Sequence, residues 1–299
     1  MHPVVGSWGS AVHMSRIGYG EVLTDAPKGW VEFFGPPGAG KSSLYERFLS
    51  QGSISEPWVS WRCAREEIFR LRRLEEIGQG AGFRNAIKRL VLLYRWPRRL
   101  YNKIIRLSDI NEIPRQGFWD QRAFYESVFR VALETSSELP KPPYLRMMGL
   151  HWLLRSLSEY LFLTSYPIGK IVVFDEFLIQ RTYAIGASLA FGDQHRRYLE
   201  VLPAPRLAVY CHARSSTVFE RVVKRAKSTG RLISAHRCGS VDELRRTVDR
   251  QCQIGEGIRA ALVERGVNVL DLNLEEETDC NLSRLRAAVD DASGRWRRR

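Results

Sequence analysis

Hydrophobic positions along this chain follow two kinds of pattern. Short, nearly continuous apolar runs occur at Trp30 to Phe34, Trp58 to Trp61, Lys170-Ile-Val-Val-Phe174, Arg206-Leu-Ala-Val-Tyr-Cys211 and Val267-Asn-Val-Leu-Asp-Leu272. Runs of that length, apolar on both faces, are what strands buried in a parallel sheet require. Between them apolar residues return at helical spacing, as in Leu44, Phe48 and Leu49 over Ser42 to Leu49, and again over Thr217 to Lys227 and Val241 to Glu264. From about Cys63 to Tyr166 only long helical periods appear, interrupted by Gly78 to Gly82, Pro97, Pro114 and Pro140 to Pro143. This order predicts an α/β fold with a parallel sheet and a large, mainly helical insertion after the second strand. The core is expected over residues 29–61 and 168–285 and the insertion over 62–167. Residues 1–28, rich in small and turn-forming types, are expected to be a poorly ordered lead-in. Residues 286–299 are expected to form a basic tail ending in Arg295-Trp-Arg-Arg-Arg299.

The junction of the first strand and first helix carries the strongest chemical signal. Gly35-Pro36-Pro37-Gly38-Ala39-Gly40-Lys41-Ser42-Ser43 contains G-x-x-x-x-G-K-[ST], the Walker A pattern, between a predicted strand and a predicted helix. Glycines there let backbone N–H groups turn inward around a phosphate, and the helix N-terminus adds its dipole to the same anion. Lys41 is then placed for the β- and γ-phosphates and Ser42 for Mg²⁺. Ile171-Val-Val-Phe-Asp175-Glu176 supplies carboxylates at the end of another strand, the edge at which parallel sheets bind ligands. Asp175 is the candidate for the metal or its water shell, and Glu176 for polarising an attacking group.

With the Gly35 loop and the Asp175 strand in place, the chain resembles the nucleoside- and nucleotide-kinase branch of the P-loop proteins, and thymidylate kinases in layout. Leu202-Pro-Ala-Pro-Arg-Leu-Ala-Val-Tyr210 is similar to that family's proline-marked entry into its fourth strand. Thr217-Val-Phe-Glu-Arg221-Val-Val-Lys-Arg225 resembles the helix leading into its phosphate lid. The resemblance implies a P-loop three-layer fold and a kinase using ATP with Mg²⁺. It also implies that Arg221, Arg225 and Arg231 clamp the transferring phosphoryl group, and that Arg181, in Gln180-Arg181-Thr182-Tyr183, grips the acceptor. The chain departs from the family in having Asp175-Glu176 where Asp-Arg is usual, and in the size of the insertion. No Asn-Lys-x-Asp or Leu-Ser-Gly-Gly-Gln motif occurs, which disfavours a GTPase or an ABC-type ATPase.

Composition narrows the partners. The 299 residues carry a formal net charge of +13, favouring anionic partners such as nucleotides, phosphorylated acceptors, nucleic acid or an acidic membrane surface. Between Arg84 and Arg106 basic residues interleave with Leu90, Leu92, Leu93, Tyr94, Trp96 and Tyr101, without an acidic one. That stretch fits an amphipathic helix pair with a solvated basic side, a surface for a bulky anionic acceptor or membrane, or a nucleic-acid contact. Phe118-Trp-Asp-Gln-Arg122, Phe124, Tyr125, Val128 and Phe129 have core-like helical spacing. The five cysteines form no CxxC pair, so neither Cys211-His212 nor His236 and Cys238 reads as a metal site. Without a signal-like leader or an uninterrupted apolar span, a cytoplasmic location is the expectation. The rival to a kinase is a regulatory ATPase acting on nucleic acid or a membrane, with Glu176 activating water.

Overall fold

A computed structural model describes residues 29–52, 56–78, 83–94, 122–137, 143–166, 168–186, 190–230 and 239–294. Strand β1 (Trp30–Phe34), the loop after it and α1 (Lys41–Ser50) are followed by β2 (Trp58–Ser60). Four helices come next: α2 (Trp61–Gly78), α3 (Phe83–Tyr94), α4 (Arg122–Ser137) and α5 (Pro143–Ser165). The chain then forms β3 (Ile171–Phe174), α6 (Arg181–Gly186), α7 (Asp193–Val201), β4 (Leu207–His212), α8 (Ser215–Thr229), α9 (Val241–Glu264), β5 (Val269–Asn273) and α10 (Thr278–Gly294).

The five strands form one all-parallel sheet in the order β2-β3-β1-β4-β5. The chain is therefore α/β, as the alternation of patterns predicts. All five residues of β1 and all four of β3 are buried, which explains why neither strand alternates apolar with polar positions. On one face Val31, Phe33, Ile171, Val173 and Val209 pack against Leu44 and Phe48 of α1 and Leu282, Leu285 and Val289 of α10. On the other, Phe34, Val172, Phe174 and Tyr210 pack against Leu157 and Leu161 of α5, Tyr198 of α7, and Ile254 and Ile258 of α9. After β1 the chain builds the sheet first to one side, with β2 and β3, and then to the other, with β4 and β5. The carboxyl end of β1 thus lies at the point where the winding reverses, where open parallel sheets leave a crevice.

Two elements go beyond the sequence expectation. Helix α10 runs to Gly294, past the expected start of the tail at 286, because Val289 and Ala292 extend its buried stripe. Between β3 and β4 the expected order of elements holds a helix without bounds; in α7 the buried His195, Tyr198 and Leu199 sit in a strongly polar segment. The regular elements described between β2 and β3 are all helices. There Val91 and Leu92 of α3 pack on Leu74 and Ile77, while Ile87, Leu90, Leu93 and Tyr94 are exposed. Tyr125 and Val128 of α4 join the core as expected. Residues 1–28, the basic stretch from 95 onward, 118–121, His236, Cys238 and 295–299 lie outside the described residues. Among the described residues no helix is long and apolar enough to cross a membrane.

Candidate functional site

The glycine-rich loop leaves β1 through a crowded point. Gly35 has φ 147°, and a Cβ there would run into the carbonyl oxygen of Cys211 on the neighbouring strand. Three residues on, Gly38 (φ 97°) passes so close to α8 that a Cβ would lie 2.7 Å from Val222 Cγ2. Only glycine tolerates both constraints. Ala39 is fully buried on Val218 and Val222, so the back of the loop is apolar and its front faces a cleft of ≈ 510 Å³.

The first turn of α1 brings the predicted polar groups to that cleft. Lys41 is 4% exposed; its Nζ donates to the carbonyl oxygens of Gly35 (3.0 Å) and Pro36 (3.3 Å) and lies 3.7 Å from Glu176 Oε1. Ser42 Oγ donates to Asp175 Oδ2 at 2.8 Å. Because β3 pairs directly with β1, Asp175 and Glu176 emerge beside the loop. Burial raises the Asp175 carboxyl above its ordinary pKa; Glu176 and Glu46 push it further up, while Ser42 and Lys41 oppose the rise.

Asp175 Oδ1 is buried without a hydrogen-bond partner. That spare carboxylate oxygen beside the Ser42 hydroxyl is the hard-oxygen pair a Mg²⁺ ion accepts while keeping most of its waters. Among the described residues no group of three or more His, Cys, Asp or Glu converges as a denser metal cage. His212 pairs instead with Asp271 at 2.6 Å. The buried Cys211 thiol is pushed up to about 12 by desolvation, which keeps it protonated and a poor ligand.

The arginines divide. Arg221 lines the cleft, but its guanidinium is committed to main-chain acceptors, the Ala39 carbonyl of the loop and the Leu274 carbonyl beyond β5, the latter at 2.9 Å. It braces the loop between α8 and β5. Arg225 also lines the cleft, and its Nη2 is buried with no hydrogen-bond partner. Arg231 lies outside the described residues. The rest of the rim comes from Arg47, Leu274, Glu276, Thr278 and Asn281, which carry no motif. Glu275 fastens the turn after β5 to α8 through Thr217 Oγ1 (2.5 Å) and Arg214 Nε (3.0 Å).

Arg181 does not line this cleft. Its Nε donates to Ser156 Oγ on α5 (2.9 Å), and its guanidinium stands 5.6 Å from the centre of the Trp152 ring. Arg155, paired with Glu159 at 3.2 Å, approaches the same ring at 5.5 Å. Arg65 of α2 is electrostatically coupled to Glu159 and Arg155. A basic, aromatic-lined surface therefore joins insertion helix α5 to the segment that follows Asp175-Glu176.

Two buried polar residues beneath the loop were not assigned a role from the sequence. Glu32, in the middle of β1, is fully buried, and its Oε1 accepts from the backbone N–H groups of Phe177 (3.1 Å) and Gln180 (2.9 Å). Its pKa is raised to about 8, chiefly by desolvation. Gln180 in turn grips the Gly35 peptide on both sides, accepting from its N–H at 3.1 Å and donating to its carbonyl at 3.2 Å. A carboxylate inside an otherwise apolar strand was the available signal for Glu32. Gln180 had none beyond its place five residues after Asp175. No protein-family model and no curated protein matches the chain.

Proposed function

We propose that the chain is a P-loop phosphotransferase that moves the γ-phosphoryl group of a nucleoside triphosphate, ATP by the sequence argument, to an anionic acceptor. The observation that carries this reading is a cleft lined by the Pro37–Gly40 stretch of the loop with Lys41, Ser42 and Glu176, behind which Asp175 holds the Ser42 hydroxyl. Loop amides and the α1 N-terminus attract the phosphates, and Lys41 and Arg225, the latter with an unpartnered Nη2, add positive charge at the cleft. Ser42 and Asp175 would hold Mg²⁺, which when bound offsets phosphate charge and fixes the phosphate geometry.

In the transfer, an acceptor hydroxyl oxygen forms a bond to the γ-phosphorus as the bond to the β,γ-bridging oxygen breaks. The hydroxyl proton passes to Glu176, the carboxylate nearest Lys41 and 41% exposed, hence reachable from solvent and from an acceptor. Arg181, Arg155 and Arg65, with the Trp152 ring, make an acceptor surface on the insertion side suited to negative charge.

A second reading, a regulatory ATPase working on a membrane or nucleic acid, draws on the exposed Ile87, Leu90 and Tyr94 beside exposed Arg84 and Lys88 on α3. One experiment separates the two: ATP turnover with Mg²⁺ against a panel of nucleosides, nucleotides and sugar phosphates, with phosphorylated product followed by mass spectrometry. Turnover coupled to one acceptor class supports the kinase. Turnover indifferent to the panel but raised by single-stranded nucleic acid or anionic vesicles replaces it with the ATPase.

A further inference from the structure

Lys41 in this structure is committed to the protein itself. Its Nζ donates to the Gly35 and Pro36 carbonyls inside the loop, and the Gly35 oxygen is shared with Gln180 Nε2. To reach a phosphate, Lys41 must leave a buried carbonyl acceptor. A buried carbonyl stripped of its donor is costly, so loss of the lysine would favour collapse of the loop or return of the lysine. Gln180 is the group that removes this cost. It lies behind the loop at 5% exposure, in position to keep the Gly35 carbonyl satisfied while the Gly35 N–H stays on its Oε1. Its own backbone N–H is held by Glu32, so the amide is presented from a fixed base.

We propose that Gln180 is a positioning residue of the phosphate site: its side-chain amide, anchored through Glu32, holds the Gly35 peptide in the cradle conformation and releases Lys41 to bind phosphate. The inference rests on the phosphotransferase reading for its ligand. It predicts that Gln180 sets nucleotide affinity and the Lys41 position without touching the nucleotide. The groups around this strut from other elements are Lys41 on α1, Arg181 on α6 and Tyr198 on α7, the last two electrostatically coupled to Glu32.

The test measures binding of a fluorescent Mg²⁺–ADP analogue to the full chain and to two variants, with thermal unfolding run in parallel. Gln180→Met preserves length and removes both hydrogen bonds to Gly35; affinity is expected to fall by about tenfold or more, from two hydrogen bonds of typical strength. Gln180→Glu keeps an acceptor for the Gly35 N–H. When ionised it opposes the Gly35 carbonyl and attracts Lys41, and when protonated it donates again. Its affinity deficit is therefore expected to be large near pH 8 and to shrink toward pH 6, against a flatter wild-type profile. A role in packing alone would lower the unfolding temperature but leave no such pH-dependent deficit. If Gln180→Met does not fold, the pH profile of Gln180→Glu decides. Wild-type chain that folds but does not bind the analogue overturns the nucleotide reading itself. Wild-type binding that both variants match across the pH range overturns the role of Gln180 and leaves that reading standing.

Discussion

Replacing Glu32 by glutamine removes a titration while keeping an oxygen for the two amides that need it. Glu32 has no exposed surface, its Oε2 has no partner, and its nearest charged and titratable neighbours are Arg181 and Tyr198. Desolvation therefore dominates, and the native chain holds a proton that the unfolded chain releases. A carboxyl with its pKa raised in the folded state contributes stability that is fully present below the unfolded value and is lost as pH climbs to the folded one. The window here runs from 4.5 to about 8. At about 1.4 kcal/mol per pH unit the loss amounts to roughly 5 kcal/mol, a large part of a domain's total stability. Glu32→Gln carries no such slope, and its amide nitrogen takes the place of the protonated Oε2, so one unmet buried donor group is exchanged for another. Denaturant unfolding followed by circular dichroism from about pH 5 to about pH 9 should find the two chains closest at the acid end and the variant increasingly ahead as pH rises to about 8. A stability difference that stays flat across this range would mean that the carboxylate is ionised in the folded chain and would refute the argument.

Three further outcomes follow from the site. Gly35→Ala forces a side chain into the Cys211 carbonyl at a positive φ; it should cost about 3 kcal/mol or more in denaturant unfolding, and a loss below about 0.5 kcal/mol would remove the steric argument. Asp175→Asn keeps an oxygen for Ser42 but halves the hard-oxygen pair; nucleotide affinity should lose most of its Mg²⁺ dependence, seen by titration calorimetry with and without the metal, while an unchanged dependence would move the metal elsewhere. Glu176→Gln should lower the rate of phosphoryl transfer by about 10²-fold or more with little change in nucleotide affinity, and full transfer by that variant would exclude Glu176 as the proton acceptor.

Features that depend on neighbouring residues can be read from the sequence. The alternation of strand and helix signals, Lys41 opening α1, and carboxylates closing β3 are all local patterns, and each reappears at the expected position to within a few residues. What escaped depends on partners remote in sequence. Arg221 stands in a helix like many surface arginines; only the approach of Ala39 and Leu274 ties it to the loop and to the turn after β5. Arg181 is drawn to Ser156 and Trp152 of the insertion, a helix whose placement no motif describes. Helix α7 is dominated by polar residues and became legible only through what it buries.

The sequence distances of the contacts that build the loop carry a consequence for how the chain acquires its site. Ser42 meets Asp175 across 133 positions, Gly35 meets Gln180 across 145, and Ala39 meets Arg221 across 182. β4 and β5, by contrast, pair across a much shorter separation, Ala208 with Val269. Because the long separations carry the larger loop-closure cost, the Gly35–Gly40 loop is expected to gain its remote contacts after the β4–β5 pair has formed. A fragment ending before Asp175 would carry the full Walker A sequence without the Asp175, Gln180 and Arg221 contacts that hold it. On the phosphotransferase reading, nucleotide affinity should therefore fall in any fragment that lacks Asp175, Gln180 or Arg221.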